Sequence, residues 1–82
     1  MEQKQTITLI VKNHPGVLLR ITGLFTRRGF NIDSLTAFPD EKKEFTTMTV
    51  TTYGDDAAAK QMIRQVNKVQ EVVFSDLKTG EF

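Results

Sequence analysis

The run Lys12-Asn13-His14-Pro15-Gly16-Val17-Leu18 carries the strongest chemical signal in the sequence. It separates a β-branched run from an amphipathic stretch, the place where a turn delivers the chain into a helix. A helix start leaves its first backbone N–H groups without intrahelical partners, and its dipole favours negative charge there. Gly16 has no Cβ, so backbone and ligand can approach closely. The pattern suits a small anion such as a carboxylate. The same residues support a purely structural reading, with Asn13 capping the helix, Pro15 stiffening the turn and Gly16 relieving crowding. Spacing alone leaves the two readings evenly matched.

Asn31 is the second candidate. A side-chain amide there can donate to a carboxylate and accept from an ammonium, the two charged groups of an amino acid. The sequence alone favours the other reading, a turn residue tolerant of unusual backbone angles. His14 has no carboxylate or second histidine in sequence register and is read as a surface or capping residue. Arg27 and Arg28 suit the negative end of a helix, and Asp55 with Asp56 suit a cap rather than a metal pair. With no Cys and one His, the sequence excludes a disulfide framework, a zinc ribbon and a thiol nucleophile.

These residues need a scaffold, and 82 residues allow one small domain, expected to span 1–82. Ile7, Leu9 and Val11 alternate with Thr8 and Ile10, which predicts a strand over about 5–12. Val17, Leu18, Ile21, Leu24 and Phe25 make one helical stripe, predicting a helix over about 15–28. Asn13 or His14 is its expected N-cap, and Gly29 its left-handed stop. Strands are expected over about 31–38 and 45–53, joined by the charged turn Pro39 to Glu44. Gly54-Asp55-Asp56 is expected to turn into a second helix over about 56–68, with Ala59, Met62, Ile63 and Val66 inward, and a last strand covers about 71–77. The order βαββαβ is the α+β, ferredoxin-like arrangement, a four-stranded antiparallel sheet with two helices on one face.

Eleven Lys plus Arg against 10 Asp plus Glu leave a net charge of +1, which argues against a general electrostatic hold on nucleic acid or anionic lipid. No apolar run is long enough to span a bilayer and none forms a signal core near Met1, so a cytoplasmic protein is expected. So short a domain hides only about 60 to 65% of its unfolded surface, so a homodimer is expected.

Val11 to Leu18, Ile21, and Gly23 to Thr36 closely resemble the regulatory small subunit of acetolactate synthase (acetohydroxyacid synthase). The likeness continues through Met48-Thr49-Val50, Gly54-Asp55, Gln61 to Lys68 and Val72 to Leu77. It implies an ACT domain that carries no catalysis and controls a large thiamine-diphosphate enzyme of branched-chain amino-acid synthesis. Thiamine diphosphate, Mg and FAD are then expected in that catalytic partner, and no cofactor in this chain. The resemblance implies that valine, leucine or isoleucine, with valine first, binds between two ACT domains. Asn13, His14, Pro15, Gly16, Val17 and Leu18 would form one side, and Asn31 and Ile32 of the other protomer the second. Longer family members carry a second C-terminal domain, whereas this sequence ends at Phe82, as a short form or as part of a longer chain.

Other functions use the same topology. An ACT sensor serving a different enzyme is the nearest alternative. An RNA-binding module would place aromatic residues on the third strand, where this sequence has Thr47, Thr49 and Thr51. An acylphosphatase-like enzyme would want an Arg in the first loop, and Lys12 to Gly16 contain none.

Overall fold

Strand alternation and helical stripe meet in one apolar layer. The computed structural model describes residues 2–80; Met1 and the final Glu81 and Phe82 lie outside the described residues. In chain order the elements are β1 (Glu2–Lys12), α1 (Val17–Arg27), β2 (Ile32–Pro39), β3 (Phe45–Asp55), α2 (Asp56–Val66) and β4 (Val72–Thr79). The sheet order is β2-β3-β1-β4 with every neighbouring pair antiparallel, so β2 and β4 are its edges. Ile7, Leu9 and Val11 of β1 and Met48 and Val50 of β3 are buried under Val17, Ile21 and Phe25 of α1 and Met62 and Val66 of α2. Both helices thus cover one face, as a period of two facing a period of 3.6 requires.

Several boundaries differ from the sequence expectation. β1 starts at Glu2 rather than near residue 5, because it pairs with β3 as far as Glu2 opposite Asp55. Gly54 is consequently a sheet residue rather than part of a turn. Its missing Cβ matters there, since a Cβ would come within 3.1 Å of the Phe30 ring. α1 starts at Val17 rather than 15, and its N-cap is Gly16 at φ 81°, not Asn13 or His14; no side chain caps it. α2 ends at Val66 rather than 68, and Asp55 precedes it without a side-chain cap. Gly29 holds the left-handed φ of 81° that ends α1, and its N–H donates to the Thr26 carbonyl at 3.0 Å.

The opposite sheet face is open and rich in hydroxyls. Its centre carries Thr6 and Thr8 of β1 and Thr47, Thr49 and Thr51 of β3, and the Ser34 and Thr51 hydroxyls bond across the β2–β3 pair. Base stacking would need aromatic rings at those central positions.

Among the described residues the buried polar side chains are Gln5, Thr46 and Thr52, all on the helix-facing side of the sheet. Gln5 is fully buried; its Nε2 donates to the Gly54 carbonyl at 3.1 Å, and its Oε1 accepts from the Thr79 hydroxyl at 2.8 Å. That hydroxyl also lies 2.9 Å from Asp56 Oδ1, so its single proton serves two acceptors in turn. Thr79 and then Lys60 hold the Asp56 carboxyl below the usual carboxylate range. Gln5→Leu conserves volume but takes the Nε2 donor from the Gly54 carbonyl and the Oε1 acceptor from the Thr79 hydroxyl in the interior. The expected loss is about 1 to 3 kcal/mol, seen as a lower urea midpoint at unchanged slope. An unchanged midpoint would mean that the network contributes nothing to stability.

Candidate functional site

The turn between β1 and α1 is tied down from two sides. Asn13 donates its backbone N–H to the Glu44 carbonyl at 2.9 Å and its Nδ2 to the Lys43 carbonyl at 3.0 Å, and its Oδ1 accepts from Thr46 at 3.2 Å. The side chain expected to cap the helix or meet a ligand therefore clasps the β2–β3 turn, with half its bonding capacity left. In that turn Lys43 adopts φ 59°, unusual for a residue with a Cβ, and Asp40 Oδ1 accepts from the Glu44 N–H at 2.9 Å.

Gly16 performs the role that the sequence divided between capping and ligand approach. Its left-handed backbone turns the chain into α1, and the Arg20 N–H donates to its carbonyl at 3.0 Å. No backbone acceptor serves the Leu18 and Leu19 N–H groups among the described residues, so both remain available to an anion. A groove of about 330 Å³ adjoins this turn, lined by Lys12, Asn13, His14, Lys43, Glu44 and Phe45. Pro15 is exposed at the lip of the turn. Val17 is only 1% exposed and packs in the core, whereas Leu18 is 41% exposed and can meet an apolar side chain.

Asn31 and Ile32 lie at the other end of the sheet. Lys12 is opposite Phe45 on β3, while Ile32 is opposite Thr52, seven residues further along. At about 3.3 Å per residue the two halves of the expected site are about 23 Å apart within one chain. The Asn31 carbonyl accepts from the buried Thr52 hydroxyl, which fixes its backbone. Its exposed side-chain amide has no protein partner among the described residues. Ile32 is half-buried and packs against the core.

Sequence reasoning missed Glu71. Its carboxylate accepts from Arg20 at 2.7 Å and lies 3.9 Å from His14 Nδ1, and its carbonyl accepts the Lys12 N–H at 2.8 Å. Its own backbone N–H, followed by Arg20 and His14, draws the Glu71 carboxyl below its ordinary range. No local pattern signals this contact, because Arg20 and Glu71 are 51 residues apart.

Among the described residues, no helix is long and apolar enough to cross a membrane, and no cluster of three His, Asp or Glu could hold a metal ion. A βαββαβ sheet with both helices on one face and a glycine-led helix start at one end is the architecture of an ACT domain. Residues 7–74 match the family of AHAS small subunit-like ACT domains, and the chain belongs to that family. It is 49% identical over 70 residues to a probable acetolactate synthase small subunit of Archaeoglobus fulgidus, covering 85% of this chain and 44% of that one. The crystal structure of the acetolactate synthase small subunit from Thermotoga maritima superposes with a TM-score of 0.78 at 33% identity, covering 93% of this chain and 46% of that one. The ACT domain of GTP pyrophosphokinase from Chlorobium tepidum shares the fold alone, with a TM-score of 0.82 at 15% identity over 95% of this chain and 100% of that one. This chain spans less than half the length of the curated relatives it matches.

Proposed function

We propose that this chain is the ACT module of a regulatory small subunit of acetolactate synthase. It binds a branched-chain amino acid, valine first, between two copies of itself. Family membership over residues 7–74 carries this reading, and the separation of the two half-sites supports it. Antiparallel pairing of two β2 edges about a two-fold axis brings the Asn31 end of each copy to the β1–α1 end of the other. There the Leu18 and Leu19 N–H groups take the effector carboxylate, Asn31 of the second copy meets the ammonium, and Leu18 meets the branched side chain. His14 and Pro15 shape the wall of the turn, and Ile32 closes the apolar side.

The module acts on a large catalytic subunit in the cytoplasm, where thiamine diphosphate, Mg and FAD reside and pyruvate is condensed. Effector binding favours one arrangement of the paired ACT domains, and that arrangement favours the less active catalytic state. Coupling of roughly 1 to 3 kcal/mol is typical, and it requires equally tighter effector binding to the inhibited complex.

A thermal melt of the purified chain against the twenty amino acids tests the reading. Ligand at about 100 times its dissociation constant adds roughly 2.7 kcal/mol, a rise of about 10 to 20 °C for a domain of this size. The expected response is to valine, with smaller ones to leucine and isoleucine. A response to an unrelated amino acid alone would make the chain a sensor for a different enzyme, and no response at all would overturn effector binding.

A further inference from the structure

The contacts of Glu71 have a purpose beyond joining β4 to the sheet. Its backbone carbonyl holds the Lys12 N–H at the start of the β1–α1 turn, and its carboxylate holds the Arg20 guanidinium just beyond the end of it. Arg20 in turn gives its N–H to the Gly16 carbonyl. A single residue from the turn just ahead of β4 thus spans both ends of the turn that presents the Leu18 and Leu19 amides. The Glu71 side chain is 15% exposed and Arg20 50% exposed, so the carboxylate is the fixed partner and the guanidinium is drawn to it. A carboxylate beside an anion site would repel an incoming carboxylate. Arg20 at 2.7 Å offsets that charge, and His14 at 3.9 Å adds to the offset when protonated.

Resting on the effector reading above, we infer that Glu71 is a positioning residue for the effector carboxylate. It touches no ligand and acts through Arg20 and the Lys12 amide, holding the turn in its binding shape before the effector arrives. Preorganisation of this kind raises affinity by lowering the ordering cost of binding. Exposed ion pairs contribute little to global stability, so the effect falls on affinity and turn order rather than on folding.

Calorimetric titration of valine into the purified chain, paired with urea unfolding, separates these effects. Glu71→Ala weakens valine binding about tenfold with a nearly unchanged urea midpoint, and Glu71→Gln, which still accepts from Arg20, weakens it about threefold. Unchanged affinity in Glu71→Ala, with the unmodified chain binding normally, overturns the positioning role and leaves the effector reading intact. So does a loss of affinity that only tracks a loss of stability. If the unmodified chain binds no amino acid, the effector reading fails, and amide hydrogen exchange over residues 13–18 decides the structural part. Faster exchange in Glu71→Ala supports the holding role, and equal exchange overturns it.

Discussion

Gly16→Asp is expected to abolish the valine-induced rise in melting temperature while leaving the unliganded chain folded. A Cβ at Gly16 would meet no atom within 4 Å, so the side chain finds room. The backbone at φ 81° opposes any residue with a Cβ, at a cost of roughly 1 kcal/mol for Asp, or a fall of about 4 to 8 °C. The new carboxylate then stands beside the open Leu18 and Leu19 amides, where the positive end of the helix dipole favours it. An anion already held by the protein competes with the carboxylate of the effector and repels it. The whole stabilisation of roughly 2.7 kcal/mol available at 100 times the dissociation constant disappears. Gly16→Ala imposes at least as much backbone strain without the charge and separates the two causes. Its melting temperature falls at least as far, but valine still raises it. A valine response retained in Gly16→Asp would move the effector away from the helix start and refute the site.

The parts of this molecule that were legible in the sequence are those whose cause is local. Alternation of Ile7, Leu9 and Val11 marks a strand wherever it occurs, and Gly29 after two arginines marks the end of a helix. The fold follows from the order of such elements. What escaped is settled by residues far apart along the chain. Asn13 looks like a helix cap until the β2–β3 turn supplies the Lys43 carbonyl, 30 residues away. Gln5 looks like the polar first residue of a strand until the Gly54 carbonyl, 49 residues away, accepts its amide in the interior. Gly54 reads as a turn because a glycine before two aspartates usually is one, yet it is a sheet residue and the Phe30 ring fills the space of its side chain. The candidate site is a sharper case. Its two halves are at opposite ends of the sheet, so no periodicity within one chain could have joined them; only the family resemblance suggested that they act across a pair.

Phe25→Ala carries the largest expected loss of stability, and it reaches the Asn31 half of the site. Phe25 is fully buried in the last turn of α1, and its ring meets Phe30 edge to face, with centroids 6.2 Å apart and planes at 77°. Phe30 donates its backbone N–H to the Phe25 carbonyl at 3.0 Å and rests its ring over Gly54. The two rings therefore clamp the exit from α1 onto the end of β3, immediately before Asn31. Removing the Phe25 ring takes away its apolar burial and leaves a cavity that the surrounding strands cannot close, a loss of about 3 to 5 kcal/mol. At roughly 0.05 to 0.15 kcal/mol per residue, a domain of this size has about 4 to 12 kcal/mol in all. The variant should melt at least about 12 °C lower, and a chain near the bottom of that range would be largely unfolded at room temperature. Phe25→Leu, which fills part of the space, should lose less than half as much. Because an effector that binds only the folded chain adds its binding free energy to folding, saturating valine should raise the melting temperature of Phe25→Ala again. A loss below about 1 kcal/mol in Phe25→Ala would show that the ring is not part of the core that supports this end of the sheet.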